Sequence, residues 1–294
     1  MPGTWTRNGA ALVTAFGLLI AALSAQPPSA DVDDVIARAA ARVEQYIARA
    51  QRIVLVERTF IQHVRSDLTP QGFSRVVESD LRVESDPGDG TLESSEAKVV
   101  RQLRSVNGHA PRKNDEQGCL DPNPISPEPL TFLLPARRDK YTFTMAGPGK
   151  GKDKNTVMVD FREHGGGKPE VTEMPERGEG CYNIDVPGRG RGRVWLDAST
   201  YDVLRIDQRI SGWVDFRVPE TKKNRRIDLP DFQVLERLDT SIRYKPIAFR
   251  DPEETMLLPE SIDTLMVVRG MQSYRMRQVF SDYRRFTTSG RLVK

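Results

Sequence analysis

Two periods of apolar spacing divide this chain. From Asp31 to Arg52, Val32, Val35, Ile36, Ala39, Ala40, Val43, Ile47 and Ala50 recur at steps of three and four, while Asp33, Arg38, Arg42, Glu44 and Arg49 take the other side. That spacing predicts one long amphipathic helix. Asp31 is placed to cap its first turn, and Asp33 and Asp34 sit where the helix dipole favours anions. The apolar stripe is one helix face wide and poor in lysine and large aromatics, so a core helix resting on a sheet is expected rather than a membrane-surface helix.

After the helix the period drops to two. Between Ile53 and Arg65, Val54, Val56, Phe60 and Val64 fall on one side, with Glu57, Thr59 and His63 on the other. Phe73 to Val83 and Lys98 to Val106 read as further strands. Tyr141, Phe143 and Met145 oppose Thr142 and Thr144, and Val157, Val159 and Phe161 oppose Asp160 and Arg162. Tyr182, Ile184 and Val186 alternate again. The clearest unit is the stretch from Gly192 to Ser211, where Val194 and Leu196 share a side, Leu204 and Ile206 share a side, and the polar segment 198–202 turns between them. It is a β-hairpin with one apolar face. Val214, Phe216 and Val218 continue the meander. Gln233 to Tyr244 and Ile247 to Phe249 read as strands broken at Pro246, as suits an edge or bend. Asp263 to Val268 and Ser273 to Phe280 form a closing hairpin that turns at Gly270, followed by an aromatic group of Phe280, Tyr283 and Phe286.

The interruptions are loops. Residues 84–90 form a polar turn, and 107–129, with prolines at 111, 122, 124, 127 and 129, form a long surface loop. Leu130 to Leu134 is a short apolar turn after it. The segment 147–152 resembles a phosphate loop but fails that pattern, since Lys152 stands where the second glycine belongs and no helix follows. Gly188 to Arg193 has the look of a short RGG element lying between strands, and residues 220–226 form a basic loop. The acidic turn 251–254 lacks the spacing of a calcium loop.

The N-terminus sets the compartment. Gly9 to Leu23 is an uncharged apolar run preceded by the single cation Arg7, too short for a comfortable membrane span and suited to a signal peptide over residues 1–25, cleaved near Ser24 or Ala25. The expected mature chain, 26–294, is then periplasmic or secreted, with no transmembrane segment and no nearby cysteine for a lipid anchor. Lys and Arg total 44 against 41 Asp and Glu, a near-balance that argues against a dedicated nucleic-acid binder. Length alone allows one large all-β domain or two small ones. Cys119 and Cys181 are the only cysteines, and an exported chain most simply pairs them, the alternative being two free thiols. His63, His109 and His164 show no ligand spacing, so no metal site is expected, and no cofactor fingerprint is present. Nor is there a nucleophile elbow, a zinc-protease helix or a redox cysteine pair. A hydrolase would need an unrecognised cluster of carboxylates or histidines.

Three stretches carry a likeness. The segment 57–62 opens the first strand after the helix, 194–205 forms a tryptophan-bearing hairpin with the turn Asp197-Ala198-Ser199-Thr200-Tyr201-Asp202, and Phe280-Ser281-Asp282-Tyr283 closes the chain. In these the protein resembles the LolA/LolB-like superfamily of periplasmic lipoprotein carriers and their secreted relatives. The resemblance implies a mainly β fold: an antiparallel meander forming an open, unclosed β-barrel with one long N-terminal amphipathic helix, as a single domain with the proline-rich loop inserted. It further implies a non-enzymatic binding protein whose apolar concavity holds a lipid or acylated partner. Phe60, Tyr141, Phe143, Trp195 and Trp213 are the expected lining, although Trp195 and Trp213 fall on their strands' more polar faces. No arginine aligns with a lipoprotein-binding one. A monomer is expected, and the second reading is an envelope interaction or regulatory module with a packed barrel.

Overall fold

The computed structural model describes residues 31–50, 53–85, 97–112, 115, 119–120, 128–175, 181–218, 231–250 and 253–285. The expected signal peptide, most of the 107–129 loop, the basic loop at 220–226, Asp251 and Pro252 of the acidic turn, and Phe286 lie outside them.

Helix α1 spans Val32–Arg49 and begins where Asp31 accepts a hydrogen bond from the Asp33 N–H at 3.2 Å. Val35, Ile36, Ala39, Ala40 and Val43 are buried, so the helical stripe is the packed face. Strands follow as β1 (Ile53–Val64), β2 (Arg75–Ser85) and β3 (Ala97–Val106). A 3-10 segment (Glu128–Leu133) and a one-turn helix α2 (Pro135–Arg138) lead into β4 (Tyr141–Pro148) and β5 (Thr156–Glu163). Then come β6 (Glu170–Glu173), β7 (Tyr182–Asp185), β8 (Gly190–Asp197), β9 (Val203–Ile210) and β10 (Val214–Arg217). Three long strands close the chain: β11 (Phe232–Arg250), β12 (Glu253–Arg269) and β13 (Ser273–Arg285).

Eleven strands form one sheet in the order β3-β2-β1-β13-β12-β11-β9-β8-β5-β4, with β10 also paired to β11. Every pairing is antiparallel. Among the described residues neither β3 nor β4 has a second partner, so the sheet is an unclosed barrel. The β1–β13 ladder joins the two ends of the chain. The disulfide Cys119–Cys181 ties the proline-rich loop to the start of β7, across a sequence separation of 62. No helix among the described residues is long and apolar enough to cross a membrane.

Because side chains alternate across a pleated sheet, the register assigns each residue to a face. One cross-strand row reads Met145, Val159, Val194, Ile206, Ile242, Ile262, Gln278 and Thr59. This face carries α1, whose Val35, Ile36, Ala39 and Val43 pack with Leu133, Val159, Val194, Leu196 and Ile206. Beside it Ile53, Leu55, Leu81, Met256, Leu258 and Phe280 form a second cluster, and Tyr46 of α1 touches both. At the other end of the face, β10 and the β6–β7 hairpin cover a third cluster around Phe216 and Leu235.

Three expectations need correction. The helix-bearing face of β1 is Ile53, Leu55, Glu57, Thr59 and Ile61, the reverse of the assignment by apolar count; Glu57 and Thr59 are each 1% exposed, and Glu57 can be buried because Arg101 and Gln278 from other strands satisfy its carboxylate. Pro246 does not break a strand: β11 runs through it, opposite Leu257, in a stretch past Arg243 where β9 no longer pairs and a missing N–H is tolerated. β8 begins at Gly190, two residues before the expected start of the hairpin at Gly192, so Gly190 and Arg191 are strand rather than a link between strands. A Cβ on Gly192 would lie 2.0 Å from the Asp207 carbonyl oxygen and 2.7 Å from Phe161 Cζ, so only glycine lets β9 and the Phe161 ring close over that point.

Candidate functional site

Two concavities lie on opposite faces of the sheet. The first is a crevice of about 400 Å³ between α1 and the strand ends of β9, β11 and β12. Val43, Leu130, Val203, Met256 and Leu257 make its apolar wall, Tyr46 and Tyr244 add two phenols, and Arg42 and Arg49 stand at its mouth. It exists because the two large clusters on this face meet chiefly through Tyr46. Burial pushes both phenol pKa values up, so both hydroxyls stay neutral donors at any ordinary pH.

The turn of the central hairpin fixes the helix over this crevice. Arg42 forks onto Asp202, with Nε–Oδ1 at 2.6 Å and Nη2–Oδ2 at 3.0 Å, and the Arg38 guanidinium lies 5.1 Å from the Tyr201 ring centroid. Asp197 organises the turn by accepting from the Ser199 N–H at 2.8 Å, the Ser199 hydroxyl at 2.5 Å and the Thr200 N–H at 2.9 Å. Those bonds, the Ser199 hydroxyl first, hold its carboxyl below the usual carboxylate range. The stretch that carries the resemblance is therefore a clasp between sheet and helix.

The second concavity is an open trough of about 1370 Å³ across eight strands on the helix-free face. One row of its floor reads Thr144, Asp160, Arg193, Asp207, Ser241, Asp263, Arg277 and Phe60. Arg193 forks onto Asp160 at 2.6 and 3.0 Å, and Asp207 accepts from Arg205 and from the Ser241 hydroxyl, the latter at 2.7 Å. Trp195 lies in the same trough, with the Arg205 guanidinium 4.5 Å from its ring centroid.

The five aromatic residues expected to line one cavity do not converge. Phe60 and Trp195 lie in the polar trough. Tyr141 and Phe143 sit on the opposite face, clustered with Phe132, with ring centroids 5.5 and 6.2 Å from it, and Phe132 is 4.6 Å from Phe161. Trp213 precedes β10, is 65% exposed, and has the Arg269 guanidinium 5.0 Å from its ring centroid. Tyr46, Tyr244 and Arg42 were not singled out from the sequence; their helical and strand spacing marks them as core edge, and only the fold brings them together.

Among the described residues no three His, Cys, Asp or Glu side chains gather into a metal cage. His164 Nε2 meets the Thr142 hydroxyl at 3.1 Å on the exposed edge of the trough. The two concavities gather different chemistry: an apolar wall with neutral donors in one, ion-paired arginines and carboxylates in the other.

No family model matches the chain, and no curated protein matches it. Among solved structures, the crystal structure of LolA superfamily protein NE2245 from Nitrosomonas europaea is similar at a TM-score of 0.33 and 7% identity, covering 87% of this chain and 94% of that one.

Proposed function

We propose that the protein is an exported, non-catalytic carrier that takes the acyl portion of a lipid or acylated partner into the crevice beneath α1. The observation that carries the reading is the crevice itself, about 400 Å³ of mostly apolar wall left between a helix and a sheet that are otherwise tightly packed. That volume lies within the usual range for small-molecule sites. At ~0.8 kcal/mol per methylene, a chain of about twelve methylenes gains roughly 10 kcal/mol before the costs of ordering it. The neutral phenols of Tyr46 and Tyr244 suit an ester or carboxyl group, and Arg49 at the mouth suits an anionic head. The apolar N-terminal run, the disulfide and the likeness to periplasmic carriers fit an exported binding protein.

The test is organic extraction and mass spectrometry of the natively purified exported protein, with titration of a fluorescent fatty acid. Leu204, half-buried on the crevice wall, offers the control. Leu204→Trp should fill the space and weaken fatty-acid binding at least tenfold without lowering the melting temperature. Absence of any extracted lipid together with no fatty-acid binding overturns the carrier reading. The second reading, an envelope interaction module, draws on the exposed Trp213; a cross-linked envelope partner lost in Trp213→Ala, with a crevice that takes no acyl chain, would favour it.

A further inference from the structure

The trough on the helix-free face carries an arrangement of charge that packing does not require. Arg162 of β5 stands directly opposite Arg191 of β8, and Arg191 directly opposite Arg209 of β9. Directly opposed side chains on one sheet face have Cβ atoms about 4.5–5.5 Å apart, and like charges so placed are destabilising. One row along, the same three strands present Asp160, Arg193 and Asp207, which are balanced by the Arg193–Asp160 pair and by Arg205 on Asp207. The arginine row has no such compensation. Asp239 faces Arg209 across the next ladder but is forked by Arg237 on its own strand. Among the described residues Arg162, Arg191 and Arg209 make no ion pair, and Arg191 Nε is buried with no hydrogen-bond partner.

We propose that this ladder is an anion-binding site for a linear acidic oligosaccharide, whose carboxylates or sulfates lie on Arg162, Arg191 and Arg209 while its chain follows the trough across the strands. The strand spacing, about 4.8 Å, sets the three cations at intervals comparable to successive sugars of a linear glycan. Guanidinium groups match carboxylates and sulfates bidentately. The neighbouring row explains why a sugar fits better than a nucleic acid: Arg193 and Arg205 are already paired with Asp160 and Asp207 and offer no free charge to closely spaced phosphates, while the carboxylates, Ser241 and Thr142 can accept hydrogen bonds from sugar hydroxyls. The site is on the opposite face from the acyl crevice, so it stands or falls independently of the carrier reading.

The experiment is calorimetric titration of the exported protein with hexagalacturonate, a sulfated hexasaccharide, neutral maltohexaose, phosphatidylglycerol vesicles and a single-stranded deoxyoligonucleotide. An acidic hexasaccharide should bind with an affinity that falls as salt rises, and maltohexaose should not bind. Arg191→Gln should weaken that binding at least tenfold, and the triple variant R162Q/R191Q/R209Q should abolish it. Arg250→Gln, which removes one charge as Arg191→Gln does but at the end of β11 outside the trough, should leave it unchanged. The ladder variants should melt at the wild-type temperature or higher, because they relieve repulsion, and this separates lost binding from lost folding. Failure of both acidic hexasaccharides to bind, binding indifferent to the triple variant, or tighter binding to the oligonucleotide or the vesicles would each overturn the proposal.

Discussion

Glu57 offers the sharpest test of how the wide sheet is held together. Its side chain is 2% exposed and that of Arg101 is 9% exposed. Arg101 of β3 reaches across β2 to place Nη2 at 2.8 Å and Nε at 3.0 Å from Oε2, while Gln278 of β13 donates Nε2–H to Oε1 at 2.6 Å. One carboxylate therefore links the outer strand of this half to the β1–β13 ladder. Removing one partner of a buried pair leaves an uncompensated charge, which costs about 3–5 kcal/mol. Glu57→Ala should lose that much, a fall in melting temperature of roughly 6–20 °C at about 2–4 °C per kcal/mol for a domain of this size. Glu57→Gln, which keeps the shape and one acceptor, should fall between. Replacing all three groups with apolar residues, Glu57→Leu with Arg101→Met and Gln278→Leu, should recover most of the loss, since the penalty comes from stranding a charge rather than from losing an attraction. Urea unfolding followed by circular dichroism measures each value, with the denaturant slope as a check on two-state behaviour. A loss below about 1 kcal/mol for Glu57→Ala, or a triple variant as unstable as the single one, would refute this reasoning.

Other outcomes follow from the same geometry. Gly192→Ala places a methyl 2.0 Å from a backbone oxygen and 2.7 Å from Phe161, and should cost about 1–3 kcal/mol or more, read by the same unfolding assay. Cys119→Ser with Cys181→Ser opens a loop with a sequence separation of 62 and should lower stability by about 4 kcal/mol in the chain-entropy model; wild type under reducing conditions should match it. Asp197 has its folded-state pKa held down, so its contribution is complete above the unfolded value of about 3.9 and is lost as pH falls through the lower folded value. Asp197→Asn should accordingly be less stable than wild type at pH 7, with the gap in melting temperature closing below about pH 4.

The elements were legible where one face is apolar and the other polar. The spacing of Val35, Ile36, Ala39 and Val43 predicts the buried stripe of α1, and the alternation around Tyr141, Val157 and Val194 predicts β4, β5 and β8. The orientation of β1 was not legible, because the groups that allow Glu57 to be buried lie 44 and 221 residues away along the chain. The start of β8 at Gly190 rather than Gly192 was not legible, because it depends on Phe161 and on β9 lying over Gly192. The arginine ladder exists only in the register of three strands, and single-strand alternation shows each arginine as an ordinary solvent-facing residue. Large aromatics on alternating strands suggest one lining, yet among the described residues the two faces of the sheet carry concavities of opposite chemistry. Phe60 and Trp195 went to one, while Tyr141 and Phe143 became part of the packing on the other face. The crevice under α1 joins a helix to strand segments some 160 residues further on, as the Arg42–Asp202 fork does, and no local pattern encodes that.

The account turns on whether an acyl chain enters between α1 and the sheet. A fatty acid bearing a photoreactive diazirine along its chain, cross-linked to the purified protein and mapped by mass spectrometry, reads this directly. The account predicts labels on the crevice wall, at Val43, Tyr46, Leu204, Tyr244, Met256 and Leu257, and their suppression by Leu204→Trp. Labels confined to the trough residues of the opposite face, or scattered without competition by unlabelled fatty acid, would contradict it.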